Sequence, residues 1–207
     1  MSEYTKMVRD LAKDPKAIIA SMTETRVNIL HAMLGINDEL LELAAALKEK
    51  DHENLLEELG DCLFYTEMLG QELGVTLEDI RYELTNFTIA NAESFDTIYS
   101  MANEAVTFAK RIGIYCKEYD NADLKGFYVR TQMLLKEVAT LFDDELKNAF
   151  EEKFAPIEFP FEIRRATPLQ LIREANMQKL LKGNTARYKS GTYSDEQANA
   201  RADKAAE

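Results

Sequence analysis

Apolar side chains recur along this chain at helical spacing, and residues that interrupt helices are rare. Only eight glycines and four prolines occur among 207 residues, and clear strand-type alternation is absent. Strong helix formers fill the long stretches between the prolines. The pattern therefore predicts an all-α fold, a helical bundle. The predicted helices cover about 23–50, 52–73, 76–90, 94–118, 122–153 and 168–182.

Local signals mark where some of these helices begin and end. Gly74 is predicted to end the second helix, and Thr76-Leu-Glu-Asp79 has the pattern of a capping box that opens the third. The stretch 154–166 is the one place where we expect extended structure, as a linker that crosses the surface. The tail from Gly183 onward is polar, and we expect it to be partly irregular.

The charge balance excludes some classes of function. The chain carries 37 acidic and 25 basic side chains, a formal net charge of −12. A general nucleic-acid or membrane-surface binder needs a basic surface, so neither is expected. No apolar run approaches the roughly 18 residues of a membrane span, and the N-terminus lacks a signal-peptide core. Cys62 and Cys116 lie in apolar stretches without metal-type spacing, which indicates reduced core residues of a cytoplasmic protein.

Four carboxylates form two pairs at helical spacing, Glu39-Leu-Leu-Glu42 and Glu58-Leu-Gly-Asp61. Residues three apart share a helix face, so each pair directs two carboxylates the same way. Asp61 runs directly into an apolar stretch, where an ionised carboxylate is costly unless it finds a cation or several donors. A divalent cation meets that need, and oxygen-only ligands favour Mg²⁺ or Mn²⁺ over zinc. A solvated acidic face, or buried partners of Lys and Arg, remain the alternatives.

A basic segment near the C-terminus reverses the charge of the chain locally. Residues 176–193 contain Lys179, Lys182, Arg187 and Lys189 and no acid. Such a segment could bind phosphate groups while the acids hold a metal ion. The alternative is a basic tail that packs on the acidic surface of the bundle. A P-loop is excluded, because its glycine-rich pattern is absent.

The two acidic pairs and their flanks resemble the all-α nucleoside triphosphate pyrophosphatases, the MazG-like superfamily. Fifteen residues separate the pairs. The flanks that carry the resemblance are His31-Ala-Met-Leu-Gly35 before the first pair and Glu58-Leu-Gly-Asp61-Cys-Leu-Phe-Tyr65 across the second. The later motifs that are similar to phage and bacterial members are Asn176-x-x-Lys179-Leu180, Arg187-Tyr188 and Asn199-x-Arg201.

This resemblance covers roughly 23–90 and 174–203, and it implies a fold and an activity. The implied fold is a four-helix core that assembles as a homodimer or homotetramer. The implied reaction converts a nucleoside triphosphate into the monophosphate and pyrophosphate. The implied Mg²⁺ ligands and catalytic residues are Glu39, Glu42, Glu58 and Asp61. The residues implied to meet the phosphates or the nucleotide are Asn176, Lys179, Arg187 and Tyr188.

Some points of the resemblance stay open. Either Glu39 or Glu42 would orient the attacking water, and the sequence does not choose between them. About 80 residues, 91–173, form a helical insertion that could extend the bundle, replace part of a subunit interface or form a lid. Six residues separate Leu180 from Arg187, a wider spacing than the family pattern, which leaves the role of Arg187 open.

The sequence predicts four regions of the chain, and three functions remain compatible with it. The regions are an N-terminal segment 1–22, a catalytic core 23–90, the insertion 91–173, and a basic phosphate-binding segment 174–207 that completes the core. The leading function is Mg²⁺-dependent hydrolysis of NTPs and dNTPs, with Mn²⁺ as a substitute, in nucleotide-pool housekeeping. The alternatives are a dUTP-restricted or phosphoribosyl-ATP-type pyrophosphatase on the same fold, and a non-catalytic helical interaction protein.

Overall fold

A computed structural model describes residues 2–154, 162–183, 186–188 and 190–200, and every regular element among them is helical. The α-helices are α1 Glu3–Leu11, α2 Pro15–Ser21, α3 Glu24–Glu49, α4 His52–Leu73, α5 Arg81–Asn86, α6 Phe95–Ala109, α7 Asn121–Leu141, α8 Asp143–Phe154, α9 Pro168–Met177 and α10 Asp195–Ala200. The prediction of an all-α fold is confirmed. None of the helices in the described part of the chain has the length and apolar content needed to cross a membrane.

The two long helices α3 and α4 form an antiparallel hairpin with the predicted bounds. Thr23 caps α3 by accepting a hydrogen bond from the backbone N–H of Arg26. Asp51 caps α4 in the same way, directly after Lys50, which ends α3 with a φ of 57°. Gly74 ends α4, also in the left-handed region. Local capping chemistry therefore sets these helix ends, and the prediction is confirmed.

The predicted third helix is wrong in its extent. Thr76 and Asp79 do make the reciprocal bonds of a capping box, with Thr76 N–H donating to Asp79 Oδ2 at 2.8 Å and Asp79 N–H to Thr76 Oγ1 at 3.4 Å. These bonds close a turn over 77–80, and α5 begins directly after it at Arg81 and ends at Asn86. The same side-chain bonds stabilise a turn as well as a helix start, so the motif alone does not distinguish the two.

The other predicted helices are present but divided. The helix expected over 94–118 is α-helical to Ala109 and then widens into a π-helical segment, Lys110–Ile114. The helix expected over 122–153 breaks at Phe142, whose backbone leaves the helical region and whose ring packs against His52.

The predicted linker and tail differ in part from the structure. Of the linker expected over 154–166, residues 155–161 lie outside the described residues. The stretch Ile163–Arg165 is a 3₁₀ turn rather than extended chain. Within the tail, Asp195–Ala200 forms the short helix α10.

The hairpin α3–α4 is completed into a four-helix core by the same chain. Helix α6 packs along α3, and α7 packs along α4, while α8 and α9 cover the remaining side of α4. Residues 91–173 thus contribute α6, α7 and α8 to the bundle. Large side chains fill the interior of the bundle, and the burial of each contributes about 1.5–3 kcal/mol to the stability of the folded state. The largest fully buried ones include Ile29, Met33, Leu40, Leu59, Phe127, Tyr128 and Phe150.

Candidate active site

Three of the four predicted metal ligands meet where α3 faces α4. Glu39 extends from α3, and Glu58 and Asp61 extend from successive turns of α4. One oxygen from each carboxylate lies within 4.8 Å of one from the others. The fourth, Glu42, is one helical turn further along α3, exposed at the rim of the same cavity. The structure therefore brings three of the predicted acids together and places Glu42 beside them.

The crowding of these acids changes their protonation. Burial, followed by the charge of Asp61 and a hydrogen bond with Glu58, raises the pKa of Glu39 to about 9. Burial likewise raises the pKa of Glu58 to about 7, with Glu42 and Asp61 adding to the effect. Raised pKa values of this kind mark carboxylates that repel one another and would be relieved by a positive charge between them. Three close oxygen donors with excess negative charge fit Mg²⁺ or Mn²⁺.

Two residues near the end of α9, Asn176 and Lys179, hold the carboxylate of Asp61 in place. Asn176 donates from Nδ2 to Asp61 Oδ1 at 2.8 Å, and Lys179 donates from Nζ to Asp61 Oδ2 at 2.6 Å. Lys179 also contacts Glu57 Oε1 at 3.1 Å, and its side chain is only 6% exposed. Although burial alone would lower the pKa of Lys179, the charges of Asp61 and Glu57 raise it. Both predicted substrate-binding residues thus contact a predicted metal ligand.

The chain turns back to the cavity directly after a π-helical segment that follows α9. This segment covers Gln178–Lys182, and the last carbonyls of a helix have no partner within it. The N–H of Arg187 donates to Lys179 O at 3.1 Å, and the N–H of Tyr188 donates to Leu180 O at 2.8 Å. These bonds return the chain to the site and place Arg187 and Tyr188 along the same cavity as the acids.

The other predicted basic residues have different positions. Lys182 forms an ion pair with the buried Glu174, at 3.1 Å to Oε1, so it stabilises the π-helical segment. Lys189 and Arg201 lie outside the described residues. Among the described residues of the basic segment, Arg187 therefore lines the cavity, and Lys179 contacts Asp61.

The cavity beside the cluster has a volume of about 890 Å³, and aromatic side chains line it together with the acids. Tyr65 is half-buried because its ring packs against the backbone at Gly35, where a Cβ would collide with it. Phe64 and Tyr193 are 48% and 72% exposed, so their rings are accessible from the cavity. The sequence motifs gave no role to Tyr193.

His31 also lines this cavity, with its ring 5.6 Å from that of Tyr65. In the sequence motifs, His31 appears only in the flank of the first acidic pair. It lies eight residues before Glu39 on the same helix, so helical periodicity could have indicated that both face one side.

Comparisons with known proteins agree with this geometry. Residues 28–88 match the model of the MazG nucleotide pyrophosphohydrolase domain. The histidine biosynthesis bifunctional protein HisIE of Oceanobacillus iheyensis is 43% identical over 49 residues, which are 24% of this chain and 23% of that protein. The match thus spans about a quarter of the relative's length. No solved structure matches the chain. The resemblance seen in the acidic pairs is confirmed, and all four acids lie within the matched residues.

Proposed function

Because residues 28–88 carry the MazG nucleotide pyrophosphohydrolase domain, we propose that the protein hydrolyses nucleoside triphosphates, NTPs and dNTPs, to the monophosphate and pyrophosphate in a Mg²⁺-dependent reaction. The observation that carries this proposal is the cluster of Glu39, Glu58 and Asp61 at the wall of a nucleotide-sized cavity. A cavity of about 890 Å³ falls within the range of small-molecule sites.

Glu39, Glu58 and Asp61 would hold the cation, with Glu42 at the rim as the fourth predicted ligand. When bound, Mg²⁺ or Mn²⁺ neutralises phosphate charge and lowers the pKa of coordinated water. Glu42 stands apart from the three-carboxylate cluster and is exposed to the cavity. We therefore assign to Glu42, rather than Glu39, the task of orienting the attacking water.

The basic and amide side chains supply the donors that phosphates need. Arg187 lines the cavity and presents a guanidinium group suited to phosphate oxygens. Lys179 is buried between Glu57 and Asp61, so it would act on the phosphates through its charge rather than by direct contact. Asn176 lines the cavity, and its amide would donate its second N–H to the substrate. Phosphoryl chemistry of this kind depends on positioning and charge more than on covalent steps.

Aromatic side chains support a nucleotide rather than an inorganic polyphosphate as the substrate. Phe64 from α4 and Tyr188 and Tyr193 from the C-terminal segment line the cavity, and the ring centroids of Tyr188 and Tyr193 lie 5.7 Å apart. A base that enters the cavity can stack on rings of this kind, since every base has a π-face.

A second candidate substrate is phosphoribosyl-ATP. It is favoured by the relative whose name places it in histidine biosynthesis. A panel of NTPs, dNTPs including dUTP, and phosphoribosyl-ATP with Mg²⁺ separates the candidates. Pyrophosphate release from several NTPs supports the leading proposal. Release confined to phosphoribosyl-ATP or to dUTP would replace it with the corresponding alternative, and no release from any would favour the interaction protein.

We also propose that the protein assembles as a homodimer or homotetramer. Val27, Leu34 and Leu41 recur every seven residues on α3 and are 49%, 45% and 42% exposed. Such a stripe on one helix face suits packing against a second helix. Light scattering at micromolar concentration should show a species of at least twice 23.6 kDa, and a single 23.6 kDa species would contradict the proposal.

A further inference from the structure

Five charged side chains of alternating sign lead from the surface into the carboxylate cluster. Glu53, Glu57 and Asp61 lie four residues apart on one face of α4, while Lys153 comes from the end of α8 and Lys179 from the π-helical segment. We call this series the ion-pair chain. Its order is Glu53, Lys153, Glu57, Lys179 and Asp61.

The distances show that each lysine bridges two acids. Lys153 Nζ is 2.7 Å from Glu53 Oε1 and 3.6 Å from Glu57 Oε2. Lys179 Nζ is 3.1 Å from Glu57 Oε1 and 2.6 Å from Asp61 Oδ2. Glu57 therefore lies between two ammonium groups, and Lys179 lies between two carboxylates.

The inner part of the ion-pair chain is shielded from water. Side-chain exposure falls from 57% at Glu53 to 20% at Lys153, 12% at Glu57 and 6% at Lys179. Charges interact more strongly where water is excluded. The position of Lys179, and hence the share of its charge that Asp61 receives, depends on the charge of Glu57.

We propose that Glu57 is a positioning residue for the metal-binding cluster. Glu57 and Asp61 both pair with the ammonium group of Lys179. Because Glu57 takes up part of that positive charge, Asp61 keeps enough negative charge to bind the cation. Glu57 itself lies outside the three-carboxylate cluster. This inference rests on the proposed function, because it concerns how a ligand of the proposed cation is held.

The proposal predicts different effects for changes at Glu57 and at Lys153. In Glu57→Gln, Lys179 loses a charged partner and turns its charge fully toward Asp61, where it competes with the cation. Removal of groups that hold a metal ligand typically weakens metal binding by about 10–100-fold, and we expect the lower end for this more distant residue. In Lys153→Met, Glu57 draws Lys179 toward itself, so cation binding is unchanged or tighter.

The test is calorimetric titration of Mn²⁺ into the wild type, Glu57→Gln, Lys179→Met and the double variant, with thermal melts to check folding. Glu57→Gln should weaken binding about 10-fold in the wild-type background. In the Lys179→Met background the same change should alter binding less than about twofold, because residues that act through one another are not additive. Glu67→Gln is the matched control, since Glu67 pairs with Arg173 at 2.8 Å and links α4 to α9 away from the cluster.

Each outcome decides the matter. The inference is overturned if the losses of Mn²⁺ affinity caused by Glu57→Gln and by Lys179→Met multiply in the double variant. It is also overturned if Glu57→Gln binds Mn²⁺ as tightly as Glu67→Gln does. Where Lys179→Met does not fold, Lys153→Met decides: a loss equal to that of Glu57→Gln overturns the inference. Wild-type protein that binds no Mn²⁺ overturns the proposed function together with the inference, whereas normal binding in Glu57→Gln overturns the inference alone.

Discussion

Asn176 and Asp61 are 115 residues apart in sequence, and the amide Nδ2 of the first donates a 2.8 Å hydrogen bond to the carboxylate of the second. The bond joins α9 to α4, and it connects a residue beyond the matched domain to one of that domain's acids. Part of the site is therefore built by chain that the family match does not include. Helix α9 acts as the support that fixes the orientation of Asp61.

Asn176→Ala tests this support directly. The substitution leaves one oxygen of Asp61 without its amide donor, so we expect kcat to fall about 10-fold, in the range found when partners of metal ligands are removed. The folded state should lose only about 1 kcal/mol, the net worth of one hydrogen bond. Asn28→Ala is the control, because Asn28 donates a 2.7 Å bond to Glu72 between α3 and α4. A loss of activity shared by both variants would contradict the assignment.

Gly60→Ala tests the close approach of α9 to α4. A Cβ at position 60 would lie 3.1 Å from the Cβ of Asn176, so the helices must separate by a few tenths of an ångström. We expect a loss of about 1–3 kcal/mol in unfolding free energy, typical of overpacking, with reduced activity. At Gly126 a Cβ would meet only the end of the flexible Arg130 side chain at 3.3 Å. Gly126→Ala should therefore stabilise α7 by about 0.5–1 kcal/mol in the same chemical denaturation.

The raised pKa values of Glu39 and Glu58 predict how stability depends on pH in EDTA. Burial raises both in the folded state, to about 9 and about 7, so the folded protein binds more protons than the unfolded chain above the ordinary carboxyl range. The contribution of these two groups to the stability of the folded state should be greatest below about pH 4.5. It should be lost as the pH rises toward 9.

Melting temperatures in EDTA between pH 5 and pH 9 measure this loss. Saturating Mg²⁺ should reduce the loss, since a cation replaces the displaced protons. Glu39→Gln removes the group with the larger shift and should flatten the profile in EDTA. A wild-type profile in EDTA equal to that of Glu39→Gln would contradict the account.

Tyr193→Ala tests recognition of the base. Loss of a stacking ring costs about 1–3 kcal/mol per base, so the KM for a nucleotide should rise about 10-fold or more. Inhibition by inorganic tripolyphosphate, which has no base, should be unchanged. Tyr99→Ala is the control, since Tyr99 is an exposed ring on α6 that stacks on Phe95. An equal effect on the nucleotide KM and on this inhibition would show that Tyr193 acts on the phosphates or on the fold.

The parts of the structure that the sequence predicted are those governed by local chemistry. The bounds of α3 and α4, the end of α4 at Gly74 and the spacing of Glu39, Glu58 and Asp61 all lie within one hairpin, so they follow from helix periodicity and local end signals. The assignment of Mg²⁺ remains a prediction.

What the sequence could not predict depends on contacts between distant residues. From the sequence, Lys179 was expected to bind phosphate, yet in the structure it contacts Asp61, which is 118 residues away in sequence. Its burial between two carboxylates depends on the packing of α9 against α4. The π-helical geometry of Gln178–Lys182 was also not predicted, because no residue type in that stretch signals it, nor were the backbone bonds from Arg187 and Tyr188 that hold the chain against this segment.

The most direct test of the central claim compares pyrophosphate release by the wild type and Asp61→Asn, each with Mg²⁺ and with EDTA. Partners of metal ligands are worth about 10–100-fold, so replacing the ligand itself should cost at least about 100-fold in kcat/KM. The account predicts release of pyrophosphate and monophosphate by the wild type only with Mg²⁺, and near-complete loss in a folded Asp61→Asn protein. Release that persists in EDTA, or that Asp61→Asn leaves intact, would contradict it.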